Sequence, residues 1–268
     1  MEGRYAVERE IGRGGASRVY LAQDPTGRPV ALKVLHPELL VSIAADRFLR
    51  EIRLISSLEH PHICPLIDSG EHEWLVFYVM PFLEGPTLSQ HLTRTGRMPP
   101  DAILRLAGDL LSALGYAHEQ QVVHRDVKPD NIVLTSNGAV LLDFGIARAI
   151  AISAGDRLTR SGVAVGTSSY MSPEQIAAQE IDHRSDLYSL GCVLFECLAG
   201  HPPFRHPNES MVLQMHRTEP APDVSALRQD LPPPLARAVL RAMAKRREDR
   251  WQSAGEMLAA LGGRSAST

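Results

Sequence analysis

His124-Arg125-Asp126-Val127-Lys128-Pro129-Asp130-Asn131 packs a histidine, an arginine, two aspartates, a lysine and an asparagine into one short stretch. It lies between apolar runs at 110–117 and 132–134. Polar side chains beside buried segments are costly unless each is paired, so a stretch this dense in them is expected to carry chemistry. The rest of the chain must then supply the binding sites.

At 268 residues the chain can bury a sizeable core, as one large domain or two lobes. Lys and Arg number 28 against 31 Asp and Glu, a net charge of −3 that is no footprint of a nucleic-acid binder. Cys64, Cys192 and Cys197 form no C-x-x-C pair and cannot all pair within the chain, so a reducing, cytoplasmic compartment is expected. The start, MEGRYAVERE, has no apolar core of a secretory signal. The most apolar stretch, 190–199, is interrupted by Glu196 and is shorter than the ~20 residues a membrane span needs, so no membrane segment is expected.

Working back from the central stretch, residues 5–11, 19–23 and 29–35 read as strands, the last two joined by the turn Asp24-Pro25-Thr26-Gly27. Between the first two lies Gly12-Arg13-Gly14-Gly15-Ala16-Ser17-Arg18-Val19. Such glycines let a backbone lie close over phosphates and offer N–H donors, although a hairpin turn uses the same letters. In the third strand, alternation puts Val30, Leu32 and Val34 on one face and Ala31, Lys33 and Leu35 on the other. Lys33 needs a partner there unless it reaches solvent from an edge. Residues 46–58 read as a helix with Phe48, Ile52 and Ile55 inward. Glu51 borders that face, as a partner for a buried cation or for Arg47 at helical spacing. Strands are expected at 64–69 and 74–80.

Downstream, residues 102–120 form an amphipathic helix through Ile103, Leu106, Ala107, Leu110, Leu111 and Leu114. Ser136-Asn137-Gly138-Ala139 reads as a hairpin turn leading to a strand at 140–142 and to Asp143-Phe144-Gly145. Residues 186–199 are too apolar for a surface helix, and Asp186 suits its N-terminus. The proline-rich remainder reads as short helices and loops, with a capping box at Ser253–Glu256 opening the last helix.

HRDVKPDN, the glycine-rich turn, Val30-Ala31-Leu32-Lys33 and Asp143-Phe144-Gly145 together resemble the signature motifs of eukaryotic-like (Hanks-type) protein kinases. The tracts ALKVLHPEL and GTSSYMSPEQ look most like the bacterial serine/threonine members. The resemblance covers 5–262 and implies an α+β, bilobal fold. A small five-stranded antiparallel lobe with one long helix would occupy 1–80, a hinge 81–85 and a larger, mainly helical lobe 86–262, with 263–268 a frayed tail.

By the same resemblance, Asp126 accepts the hydroxyl proton of a protein substrate, Lys128 is the serine/threonine-type companion, and Asn131 and Asp143 hold Mg2+ (or Mn2+). Lys33 contacts the ATP phosphates and pairs with Glu51, while Ile11, Gly12, Gly14, Ser17, Val19, Ala31 and Leu83 surround the nucleotide. Met80 stands at the gatekeeper position, and Ile55, Leu66, His124 and Phe144 would stack as a spine. Thr167 belongs to the pocket beside the phosphoacceptor, Glu174 of Ser172-Pro173-Glu174 pairs with Arg250, and Asp186 holds the catalytic-loop backbone. Thr159 and Ser161 are the candidates for activating phosphorylation, against a reading as ordinary polar loop residues. The implied substrates are proteins with serine or threonine acceptors, and a homodimer for autophosphorylation is left open. The cytoplasm is expected, for the chain alone or as part of a longer membrane protein. A pseudokinase scaffold would require a broken catalytic position and a small-molecule phosphotransferase would lack the substrate-peptide segment; neither departure is seen.

Overall fold

Asp24 closes the first hairpin by accepting, at its Oδ1, the backbone N–H groups of Thr26 and Arg28 at 2.8 and 3.0 Å. This turns strand β2 (Ser17–Gln23) into β3 (Pro29–Leu35). The structure is a computed structural model that describes residues 4–14, 17–35, 52, 56–72, 75–144, 168–228 and 230–262. Among these, the residues up to Glu59 with Ile63–Glu84 form one unit, and His60–His62, Gly85–Phe144 and those from 168 onward form a second.

The first unit is built on a five-stranded antiparallel sheet in the order β1-β2-β3-β5-β4, completed by β1 (Ala6–Arg13), β4 (Asp68–His72) and β5 (Leu75–Pro81). Period-2 alternation sorts its side chains. Ala22, Val30, Leu32, Phe77 and Val79 form a buried cluster with Tyr5, Tyr20 and Val34 packed against it. Arg4 and Tyr5 bond to Asp68 Oδ2 at 2.5 and 2.8 Å, tying the segment before β1 to the start of β4.

Several strand boundaries differ from expectation, two of them at prolines. The fourth strand is not 64–69 but Asp68–His72, because Pro65 has no N–H to give a ladder. Pro81, expected in the hinge, is instead the last residue of β5, opposite Val30, and as a proline it ends that ladder. The helix expected at 46–58 lies largely outside the described residues; Ile52 is fully buried and its carbonyl accepts Ser56 N–H at 3.0 Å.

The second unit contains, among the described residues, seven α-helices and the hairpin of β6 (Ile132–Thr135) and β7 (Gly138–Leu141). Helix α1 (Leu88–Thr95) opens on a capping box of Thr87 and Gln90. Helix α2 (Pro100–Glu119) has proline in its first turn and buries Ile103, Leu106, Ala107, Leu110, Leu111 and Leu114 along one face. A short helix α3 (Pro173–Ile176) precedes α4 (Arg184–Ala199), in which every residue from Ser185 to Ala199 except Glu196 is buried. Helices α5 (Glu209–Thr218), α6 (Pro233–Ala242) and α7 (Ala254–Ala260) pack around them. Gly191 lets α6 approach α4 closely, since a Cβ there would lie 2.9 Å from Ala242 Cβ.

His60–His62, expected with the small lobe, belongs to the second unit. The His62 carbonyl accepts Leu141 N–H at 2.9 Å, its ring Nδ1 lies 2.8 Å from the Ala139 carbonyl, and His60 stacks on Tyr116. Backbone hydrogen bonding to the β7 strand outweighs position along the chain.

Candidate active site

The catalytic-loop stretch leaves α2 and turns back through backbone conformations that few side chains adopt: Gln121 has φ 60° and Arg125 has φ 68°. Asp186, at the start of α4, compensates by accepting the N–H groups of His124 and Arg125, each at 2.8 Å. His118 Nε2 lies 2.8 Å from the same carboxylate. Burial of Asp186 would push its carboxyl upward, but the hydrogen bond from His118, the electrostatics of the neighbouring His118 and His124 rings and the Arg125 N–H hold it below its ordinary value.

The His124 ring then links three segments. Its Nδ1 accepts Asp126 N–H at 3.1 Å, its Nε2 donates to the Leu142 carbonyl at 2.7 Å, and its edge meets Phe144 with ring centroids 4.6 Å apart. Asp126 Oδ2 accepts Lys128 Nζ at 2.7 Å and Asn131 Nδ2 at 2.9 Å, and Asn131 Nδ2 also reaches the Asp126 carbonyl at 2.8 Å. Two donors on one oxygen fix the carboxylate plane.

Asn131 starts the β6–β7 hairpin and Asp143 follows it; the bond from Leu142 N–H to the Asn131 carbonyl, 2.8 Å, closes the hairpin's base between them. Asp143 has φ 60°. With its amide nitrogen committed to Asp126, Asn131 has its amide oxygen to offer. That oxygen and a carboxylate make a hard donor set suited to Mg2+ or Mn2+, which take few protein ligands and complete their shells from phosphate and water. No cluster of three or more His, Cys, Asp and Glu that could hold a metal occurs among the described residues.

In the first unit, the strand register brings the sequence-selected residues Gly12, Val19, Ala31 and Lys33 onto one face of the sheet, with Tyr78 and Met80. Ala31 is buried and Lys33 half-buried, its Nζ 5.7 Å from the Tyr78 ring centroid. The glycine-rich turn is closed by Gly14 N–H to the Ser17 carbonyl at 2.9 Å, and Ser17 is buried. Ile11 and Leu83 are half-buried. Glu51, Ile55, Thr159, Ser161 and Thr167 lie outside the described residues.

The expected pairing of Glu174 with Arg250 is present and buried: Nη1 and Nη2 reach the two carboxylate oxygens at 2.7 and 2.8 Å. Burial pushes the Glu174 carboxyl up, but Arg250 and the Ser185 hydroxyl overcome this and hold it at about 2. Sequence reasoning missed His118 and Gln175, whose partners Asp186 and Arg125 are 68 and 50 residues away. The one available signal was in the Ser172-Pro173-Glu174-Gln175 string, which has the spacing of a helix-capping box.

The model of the family described as "Protein kinase domain" matches residues 5–259. Serine/threonine-protein kinase PknH of Mycobacterium bovis is 39% identical over 260 residues, covering 96% of this chain and 43% of that protein. Serine/threonine-protein kinase PknB of Mycobacterium tuberculosis is 42% identical over 270 residues, and PknB of Mycolicibacterium smegmatis 40%; each match covers 96% of this chain and 42% of the relative. The chain thus spans less than half the length of these curated relatives. With its five-stranded sheet, its helical second unit and a family match over nearly its whole length, the chain belongs to the protein kinase domain family, among relatives that are bacterial serine/threonine kinases.

Proposed function

We propose that this chain transfers the γ-phosphoryl group of ATP to serine and threonine hydroxyls of proteins, as a kinase domain over 5–262 with a hinge segment of 81–85 that begins at the last residue of β5. The observation that carries this reading is the Asp126 carboxylate, oriented by Lys128 and Asn131 with its backbone held by His124. Protein kinases use ATP with a divalent metal. Mg2+ or Mn2+ held by Asn131 and Asp143 would supply charge neutralisation to the phosphates.

The chain's own residues do the remaining work. Asp126 Oδ1 orients the substrate hydroxyl for in-line attack and takes its proton, while Lys128 keeps Oδ2 occupied. Lys33, aligned by Glu51, positions the α and β phosphates, under a roof formed by Ile11, Gly12, Gly14, Ser17, Val19 and Ala31; the Leu83 backbone takes the adenine. Thr167 shapes the pocket beside the acceptor. Thr159 and Ser161 receive phosphate in autophosphorylation between two copies, adding charge that arginines can pair. Cys64, Cys192 and Cys197 form no disulfide among the described residues, which supports a cytoplasmic setting. No helix among the described residues is long and apolar enough to cross a membrane.

The test is incubation of the purified chain with labelled ATP and Mg2+ or Mn2+, followed by mass-spectrometric mapping, with Asp126→Asn alongside. Phosphate on serine or threonine in the wild type, reduced about 10²- to 10⁴-fold or more in Asp126→Asn, is expected. An Asp126→Asn chain that turns over like the wild type would falsify the assignment.

A further inference from the structure

The peptide plane immediately before Asp126 is held at both polar atoms by side chains. Its N–H, from Asp126, donates to His124 Nδ1 at 3.1 Å. Its C=O, from Arg125, accepts Gln175 Nε2 at 2.8 Å. This plane follows a non-glycine residue at φ 68°, a strained conformation that persists only where the surroundings over-determine it.

Gln175 is the N3 residue of α3 and does a second job there. Its Oε1 accepts Ser172 N–H at 3.0 Å and its own N–H donates to Ser172 Oγ at 3.4 Å, completing a capping box. Glutamate would serve that box equally well. At the Ser253 cap the chain places Glu256 at N3, with its N–H on Ser253 Oγ at 3.1 Å and its carboxylate accepting the N–H of Gln252, one residue before the cap, at 3.0 Å. Capping therefore does not require an amide at 175. Only an amide can cap through oxygen and still donate an N–H to the Arg125 carbonyl. The reach starts from a fixed platform, since the preceding residue, Glu174, is buried in its paired contact with Arg250.

We propose that Gln175 is a positioning residue for phosphoryl transfer: it fixes the peptide plane that carries Asp126 and so holds the carboxylate at its working angle. This rests on the kinase reading above. A small rotation of that plane swings Asp126 relative to the substrate hydroxyl, and misplacement of about 1 Å can cost ~10²-fold in rate. Binding of ATP, which involves other residues, is left alone.

The discriminating variant is Gln175→Glu in the full chain, which keeps the cap and loses the donor. Its kcat is expected to fall about 10- to 100-fold with the KM for ATP and the melting temperature near wild type. Ser172→Ala, which weakens the cap and keeps the donor, is expected to lower the melting temperature with a smaller loss of kcat. A Gln175→Glu chain with wild-type kcat, beside an active wild type, overturns the inference alone. If the carboxylate prevents folding, Gln175→Met replaces it, and a kcat loss no greater than that of Ser172→Ala is the overturning result. A wild-type chain that transfers no phosphate overturns the kinase reading, and this inference with it.

Discussion

Asp126 owes its orientation to two kinds of neighbour. Lys128, Asn131 and His124 lie within five residues of it and act through short hydrogen bonds of 2.7 to 3.1 Å. Asp186 and Gln175 lie 61 and 50 residues from Arg125, next to Asp126, and act on its backbone. Lys33 poses a simpler residue-scale problem: a half-buried cation on a strand face with Ala31, Tyr78 and Met80. Methionine fills much of the same volume and keeps the packing of the stem, so Lys33→Met isolates the charge. The variant is expected to lose about 10²-fold or more in phosphotransfer with its melting temperature nearly unchanged. Full activity in a radiolabel transfer assay would show that the phosphates are held elsewhere. The spacing that singled out Lys33, Asp126, Asn131 and Asp143 was legible because chemistry demands those residue types. His118 and Gln175 were not legible, because an imidazole or an amide carries no mark of the distant group it will meet.

Elements were read correctly where a periodic pattern spans them. Residues 29–35 form the expected strand, and α2 follows the predicted apolar stripe while starting at Pro100, a residue well suited to a first turn. The misses fall where a single residue breaks a pattern, as at Pro65 and Pro81, and where an element is too short for periodicity, as in the four-residue α3. Gly85 sets a further element-scale constraint. It sits at φ 143°, and a Cβ there would lie 2.1 Å from the Leu134 carbonyl oxygen, because Pro86 and Thr87 run along β6. Gly85→Ala must therefore displace this segment from the strand, and a loss of about 2–5 kcal/mol is expected in chemical denaturation. An unchanged denaturation midpoint would mean that the approach of Pro86 to Leu134 is dispensable.

At the scale of the whole molecule, Arg250 joins segments far apart in the chain. It grips Glu174 of α3, the Arg184 carbonyl at the start of α4, and the carbonyls of Ala244 and Lys245 beyond α6, with its guanidinium 4.9 Å from the Tyr188 ring centroid. Both charges are buried, so removing one leaves the other uncompensated. Glu174→Gln is expected to cost about 3–5 kcal/mol at pH 7. The pH dependence follows from the lowered carboxyl. Glu174 titrates at about 2 in the folded chain against an ordinary 4.5, so the unfolded chain binds the extra proton between those values. The stabilisation is complete above pH 4.5 and is lost as the pH falls toward 2. Urea midpoints measured from pH 7 to 3 should therefore fall more steeply for the wild type than for Glu174→Gln. Parallel curves would show that the pair contributes no linkage.

Sequence by itself determined the family, the strands with clear alternation, the long helices and the residues proposed for the site. Those properties depend on local periodicity or on residue types at short, fixed spacing, and both are written along the chain. Only the tertiary structure decided that His60–His62 goes with the second unit and that Asp186 and Gln175 together pin the backbone at Arg125. These contacts join residues 50 or more positions apart or depend on φ values that no side chain announces. Such polar partners become specific only when burial removes water as the alternative, and burial is a property of the assembled fold.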